Sequence, residues 1–223
     1  MRSETFVVPL FPLPRGALLP GELLPLHIFE PRYRALLEEV RGSDNLAMAI
    51  GTLDPGWEAD YLGRPAVAPV VGLGQVLRDK QRPDGTSDIA LHGLGRARLL
   101  EELPSEPYRR IRVEVPDPRS AHPVEAYRMR RRLLTGLDDA LGSALEYDVT
   151  AAFDASHLVD SIASSLSLQP LERVRMMQAL DAEERVALLL ELLRTRDHRR
   201  RLTQLVPSLG KFHLSLPDGE ETA

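Results

Sequence analysis

Glu30, Arg32, Tyr33 and Arg34 fall within one short stretch, a carboxylate, two guanidinium groups and a phenol side by side. Groups of that kind could move a proton or hold an anion. A plainer role accounts for them equally well. Glu30 would cap a helix N-terminus, where negative charge is favoured, and Arg32 would pair with a nearby carboxylate. Few other residues compete for chemistry. There is no cysteine, which excludes disulfides, thiolate metal sites and cysteine nucleophiles. The six histidines, at 27, 92, 122, 157, 198 and 213, are never three to five residues apart, so a local two-histidine metal helix is absent. Only two lysines exist, Lys80 and Lys211, followed by Gln81 and Phe212, so no Gly-Lys-Ser/Thr phosphate loop forms. Gly72-Leu73-Gly74 and Gly93-Leu94-Gly95 begin like a dinucleotide fingerprint, but Leu77 and Arg98 stand where its third glycine belongs. They read as bends in strands. No nucleophile, base and orienting group come together, so the expectation is a protein that is not an enzyme, without metal or cofactor.

The elements that would carry these residues follow from punctuation. Residues 1–123 hold 15 of the 18 prolines and 11 of the 15 glycines, while 124–206 hold only Pro170, Gly136 and Gly142. Dense turn residues favour short strands, and their absence favours helices. The expectation is α+β: a β-rich part over 1–119 with one embedded helix, a helical bundle over 120–206, and a polar tail over 207–223, the boundary marked by Pro116, Pro118 and Pro123. Ile111, Val113 and Val115 alternate with charged residues as a half-buried strand, and Leu46, Met48 and Ile50 alternate with alanines. Further strands are expected around 67–78 and 88–101, joined by the turn Arg82-Pro83-Asp84-Gly85. A helix runs from Pro31 to Gly42 with Tyr33, Leu36, Leu37 and Val40 on one face. In the bundle, one helix turns Tyr127, Leu134, Leu137, Leu141 and Leu145 inward. A second packs Leu158, Val159, Ile162 and Leu166, with Asp160 a structural hydrogen bonder on that face. A third packs Leu171, Val174 and Met177. The last opens on Asp181 and Glu184 as a capping box, buries Val186, Leu189, Leu190 and Leu193, and runs on through Arg194–Arg201 into solvent before Leu202, Leu205 and Val206.

Composition limits the class. At ~150 residues per domain, 223 residues make one large domain or two modest ones. Hydrophobic residues are 43% and charged residues 27%, which excludes disorder of the whole chain. With 28 Lys+Arg against 33 Asp+Glu the net charge is −5, and neither half is strongly basic. The triplets Arg130–Arg132 and Arg199–Arg201 wrap most of a helical turn rather than focusing on one patch. With only 11 aromatic residues as stacking platforms, nucleic-acid binding is disfavoured. The proline-broken N-terminus is no signal peptide, and no run nears the ~18 apolar residues of a membrane span, so a cytoplasmic protein is expected.

The most distinctive stretch is 7–34, VVPLFPLPRGALLPGELLPLHIFEPRYR. Its prolines hold an extended, edge-like path, and its large apolar residues are too closely spaced to enter one strand face. Some would close the core, and others would stay exposed as an apolar groove rimmed by charge. Within it, Pro9-Leu10-Phe11-Pro12-Leu13, Leu19-Pro20-Gly21 and Leu26-His27-Ile28-Phe29-Glu30-Pro31-Arg32-Tyr33 resemble the opening of the substrate-binding N-terminal domain of Lon ATP-dependent proteases. His92-Gly93-Leu94-Gly95-Arg96-Ala97-Arg98 resembles a later strand motif of that family. Leu158–Ala163 with Asp160, and Leu180-Asp181 with Arg185, resemble its helical half. Where the family carries a Lys-Gln pair in the third bundle helix, this chain has Arg173-Val174.

The resemblance covers about residues 5–205. It implies a PUA-like β pseudo-barrel followed by a helical bundle, recognising unfolded or exposed polypeptide segments. Pro9, Pro12, Pro20, Gly21, Glu30, Pro31, Arg32, Gly93, Arg96 and Asp160 are its structural motif positions. The expected polypeptide contacts are Phe11, Leu24, Leu26, Phe29 and Tyr33. The chain stops where the family's ATPase would begin, so a stand-alone unit without motor or protease is expected. An adaptor or assembly module docking onto a protease or another complex, possible self-association included, is the alternative, with RNA binding through the PUA-like fold a second.

Overall fold

A computed structural model describes residues 3–44, 46–61, 63–116, 123–141 and 155–209. Six strands come first: β1 (Glu4–Leu13), β2 (Leu23–Ile28), β3 (Ala47–Thr52), β4 (Val70–Gln81), β5 (Ser87–Leu103) and β6 (Arg109–Val115). Helix α1 (Pro31–Arg41) follows β2, and a 3-10 turn (Trp57–Asp60) follows β3. Five helices follow among the described residues: α2 (Pro123–Leu141), α3 (Ala155–Ser165), α4 (Pro170–Gln178), α5 (Ala182–Leu192) and α6 (Arg196–Leu209). The expected Leu145, Pro118 and the tail from 210 lie outside the described residues, as do the side chains of Leu141, Leu205 and Val206.

The strands form one mixed sheet in the order β2-β5-β4-β3-β1-β6, and β6 also pairs with β5. Five strands therefore make a closed hydrogen-bonded circuit, and β2 hangs on the outside of β5. The length of β5 makes this possible. Ser87–His92 pairs with β2 and Arg98–Leu103 with β6, while β4 runs along most of its other side. Val8, Leu10, Ala49, Val71, Ala97, Ile111 and Val113 fill the space inside. The stretch 7–13 is expected to lie at an edge, but β1 lies between β3 and β6. Its prolines fit because pairing changes side at Leu10. Pro9 pairs only with β6 and Pro12 only with β3, so neither ring meets a strand on both flanks.

Helix α1 begins as expected, with Pro31 at its first position, and turns Tyr33, Leu36, Leu37 and Val40 inward. Glu30 occupies the cap position, but its side chain makes no capping hydrogen bond. The bundle departs from the expected phases in three places. In α2 the buried set is Met129, Leu133 and Leu137, and Tyr127 is exposed. Both stripes share Leu137, and the better-buried one lies one residue before Leu134. In α4 the buried pair is Met176 and Met177, which at 100° per residue puts Leu171 on the opposite face, exposed. The last helix does not run on through its arginines. It ends at Leu192, and α6 starts afresh at Arg196 with His198 and Leu202 buried. The Thr195 hydroxyl turns that corner, donating to the Leu192 carbonyl and lying 2.8 Å from His198 Nδ1.

Sheet and bundle share a core in which Ala17, Leu19 and Val70 pack among the buried residues of α2 to α6. Three polar ties cross the same boundary. The Gln178 side chain accepts from the Val70 N–H (3.0 Å) and donates to its carbonyl (2.8 Å), like one more strand residue. Arg173, at the position where the family motif differs, pairs with Glu22. Arg96 on β5 donates to Asp160 on α3 (2.8 Å) and to the Met176 carbonyl. Arg185 Nε lies 3.2 Å from the other Asp160 oxygen, an ion pair without hydrogen-bond alignment. One buried carboxylate thus serves two buried guanidinium groups.

Candidate functional site

The β2 strand is amphipathic with period two. Leu24, Leu26 and Ile28 point inward, and Leu23, Pro25 and His27 point out. Leu24 and Leu26 stay half-buried against the core that holds α1, while Leu23 is 60% exposed. The Gly93 N–H donates to the Glu22 carbonyl. By antiparallel alternation, residues 24, 26 and 28 then bond to β5, and 23, 25 and 27 turn their backbone groups to the free side. Pro25, which has no N–H, sits where no bond to β5 is required. Before this strand, Gly21 adopts φ +79°, a left-handed turn suited to glycine, and its N–H donates to the Gly93 carbonyl (2.8 Å).

The outer face continues across β5 and β4 in rows set by the register: Leu23, His92, Gln75; then Pro25, Ala90, Arg78; then His27, Asp88, Lys80. Leu77, bulged between the rows of Leu24 and Pro25, lines a hollow with Leu37, Val40 and Asp79 on the α1 side, while Leu94, at an irregularity in the pairing, adds exposed apolar surface at one end. At the other, Asp88 accepts from Arg82 and lies 2.7 Å from His27 Nδ1; those hydrogen bonds hold its carboxyl below the usual range. Phe29 follows β2, 60% exposed, with its ring stacked 6.0 Å from that of His27.

Behind Phe29 lies a compact polar knot. The Glu30 carboxylate accepts from Arg32 (3.0 Å) and from the Tyr61 hydroxyl (2.6 Å), and that bond raises the Tyr61 pKa. The Arg32 guanidinium lies 4.7 Å from the Tyr33 ring centroid and 5.1 Å from that of Tyr61. These groups satisfy one another, and their geometry is that of a brace between α1 and the 3-10 turn. Among the described residues, no group of three or more His, Asp or Glu could hold a metal. A hollow of about 450 Å³ between α2 and α5 is lined by Arg128, Arg131, Arg132, Asp139 and Leu190, and Arg132 there pairs with Glu183.

The expected contact residues therefore separate. Phe11 and Tyr33 are buried, 8% and 6% exposed, with ring centroids 4.4 Å apart inside the α1 core. Leu24 and Leu26 are half-buried, and Phe29 alone of the five stands in solvent. Leu23 was not among the expected contacts. Its signal is the alternation itself: a strand that buries Ile28 and half-buries Leu24 and Leu26 must expose Leu23, Pro25 and His27.

A mixed sheet closed on itself, packed with helix α1 and a helical bundle, makes an α+β fold. The family model of the ATP-dependent protease La (LON) substrate-binding domain matches residues 7–195, and the chain belongs to that family. It is 27% identical over 197 residues to Lon protease 2 of Herpetosiphon aurantiacus, covering 82% of this chain and 23% of that one. It is also 27% identical over 202 residues to the Lon protease of Heliobacterium modesticaldum, covering 86% and 24%. The chain thus spans about a quarter of the length of these relatives. Its fold is similar to the N-terminal domain of a Mycobacterium avium complex Lon protease, with TM-score 0.60, 16% identity, and 86% of this chain and all of that one covered. A Lon N-terminal domain protein from Xanthomonas campestris gives TM-score 0.53 and 23% identity, over 83% and 98%. No described helix is long and apolar enough to cross a membrane.

Proposed function

We propose that this chain is a non-enzymatic module that binds exposed apolar segments of unfolded polypeptides in the cytoplasm. The observation that supports this most directly is the pair of large apolar side chains, Leu23 and Phe29, held in solvent at the two ends of a strand with one free edge. Leu24 and Leu26 form the floor beneath them, and Phe11 and Tyr33 hold that floor rigid. Apolar side chains supply affinity with little demand on sequence, as a binder of many clients requires.

The test is fluorescence anisotropy of a labelled, permanently unfolded protein titrated with this chain, beside a folded control. Saturable binding to the unfolded form alone is the expected result. Absence of binding at tens of micromolar would sink the reading and favour an adaptor, which a lysate pull-down yielding one stoichiometric partner would support. Because Phe29 is 60% exposed, Phe29→Asp is expected to fold normally and to weaken client binding by about tenfold or more.

A further inference from the structure

We infer that β2 receives its client as an added strand, and that the preferred client is an extended segment that sets aliphatic residues beside Leu23 and acidic ones towards His27. This rests on the polypeptide-binding reading and specifies its substrate class. Leu23 and His27 turn both their N–H and C=O groups to the free side of β2, Pro25 turns its C=O, and no strand among the described residues pairs there. Such an edge is a template for strand addition, with alternate side chains selecting the sequence.

Proline at the centre of this edge argues against a second copy of the chain as the occupant. Two β2 strands paired about Pro25 would set two carbonyls facing each other with no N–H between them. A foreign strand brings its own N–H to the Pro25 carbonyl. It also accepts from the Leu23 and His27 amides.

Charge gives the client its direction. Beyond the Leu23 end the outer surface is apolar, with Leu94 exposed. Towards the His27 end, Arg78 in the Pro25 row and Lys80 in the His27 row project from β4 on the outer face, and Arg34 lies against the tip of the β4–β5 turn at Gly85. None of the three has an ion-pair partner among the described residues. The carboxylate of that face, Asp88, is already held by His27 and Arg82, and Asp84 is turned onto its own loop at Thr86. This uncompensated positive charge stands a few strand spacings from the added strand. At about three strand spacings, ~14 Å, it acts beyond one screening length as a weak field that steers and ranks clients rather than locking them.

The experiment uses the whole chain and fluorescein-labelled dodecapeptides: alternating Leu and Thr with Glu-Ser-Glu at the C-terminus for parallel addition or at the N-terminus for antiparallel addition, the same pair with Lys in place of Glu, and versions of the tighter-binding acidic peptide N-methylated at alternate residues in either phase. At low ionic strength the tighter-binding acidic peptide is expected to bind about threefold more tightly than its basic counterpart. The Arg78→Glu/Lys80→Glu variant should cancel or reverse that preference, and N-methylation in one phase should abolish binding. Amide exchange of Leu23 and His27 in the unaltered protein should slow on binding, a readout that needs no variant. Equal binding of acidic and basic peptides, or of parent and both N-methylated forms, would overturn the inference while leaving the function intact if the unfolded protein still binds. If neither peptide nor unfolded protein binds, the function itself falls and the inference with it.

Discussion

Gly93 lies in β5 with its Cα against the main chain of Leu19, and a methyl group added there would run into the Leu19 carbonyl. Gly72 in β4 stands in the same relation to the carbonyl of Leu18. These glycines let the segment carrying Leu18 and Leu19, both fully buried, lie directly on the sheet. Gly95, two residues further along, faces open space. Gly93→Ala is therefore expected to destabilise the fold by about 1–3 kcal/mol, with Gly95→Ala close to neutral. Thermal melts of the two variants check this, and equal melting temperatures would contradict it. Glycine pairs inside strand patterns are visible in the sequence and signal a bend or a close approach. Which of the two applies was not legible, because the approaching segment lies far off in sequence.

At the scale of the element, α1 is fastened at several points along its length. Tyr33 near its start packs on Phe11, and Glu39 near its end accepts from the Tyr108 hydroxyl and from Arg110. Arg41 reaches Asp79 and Ser87 across the sheet. Burial pushes the Tyr33 phenol up to about 12, and burial with the bond to Glu39 carries Tyr108 to about 12 as well. An unfolded tyrosine ionises near ~10. The folded protein therefore holds these two protons over a range in which the unfolded chain has lost them. Their contribution is complete below pH ~10 and is lost as pH rises from there through about 12. Ultraviolet difference titration should show Tyr33 and Tyr108 as late phenols, with Tyr61 also above its usual range, and denaturant midpoints should fall over that interval. Ionisation of all five tyrosines near their unperturbed value would refute the assignment. The helix was legible from its apolar spacing and from Pro31. The fate of Glu30 was not, since Tyr61, which draws its carboxylate away from the cap, arrives from another element.

For the whole molecule, the decisive contact is Asp160 between Arg96 and Arg185. Removing the carboxylate takes away the ion-pair partner of the buried Arg96 and one partner of the buried Arg185, so Asp160→Ala is expected to cost about 3–5 kcal/mol. Because sheet and bundle share one apolar core, that loss should appear in both at once. Trp57, the single tryptophan, reports on the sheet side, and far-ultraviolet circular dichroism is dominated by the helices. Coincident urea midpoints by the two probes, shifted together in the variant, are the expected outcome. A variant in which the helices melt first would show that the bundle folds as a separate unit.

The sequence alone determined the class and the order of parts: proline and glycine density marked the strands, apolar spacing placed α1 and the bundle, and the motifs of 7–34 and 92–98 pointed to the family. Local signals suffice there because turn chemistry and periodicity act over a few residues. Only the tertiary structure decided which apolar residues face water. Phe11 and Phe29 are equally hydrophobic, yet one is sealed under α1 and the other stands free, because burial depends on what packs from elsewhere in the chain. The same holds for the helix phases of α2 and α4, where neighbouring apolar stripes compete and only the packed partners choose between them. It holds too for the free edge of β2, since whether a strand is flanked on one side or two is a property of the sheet.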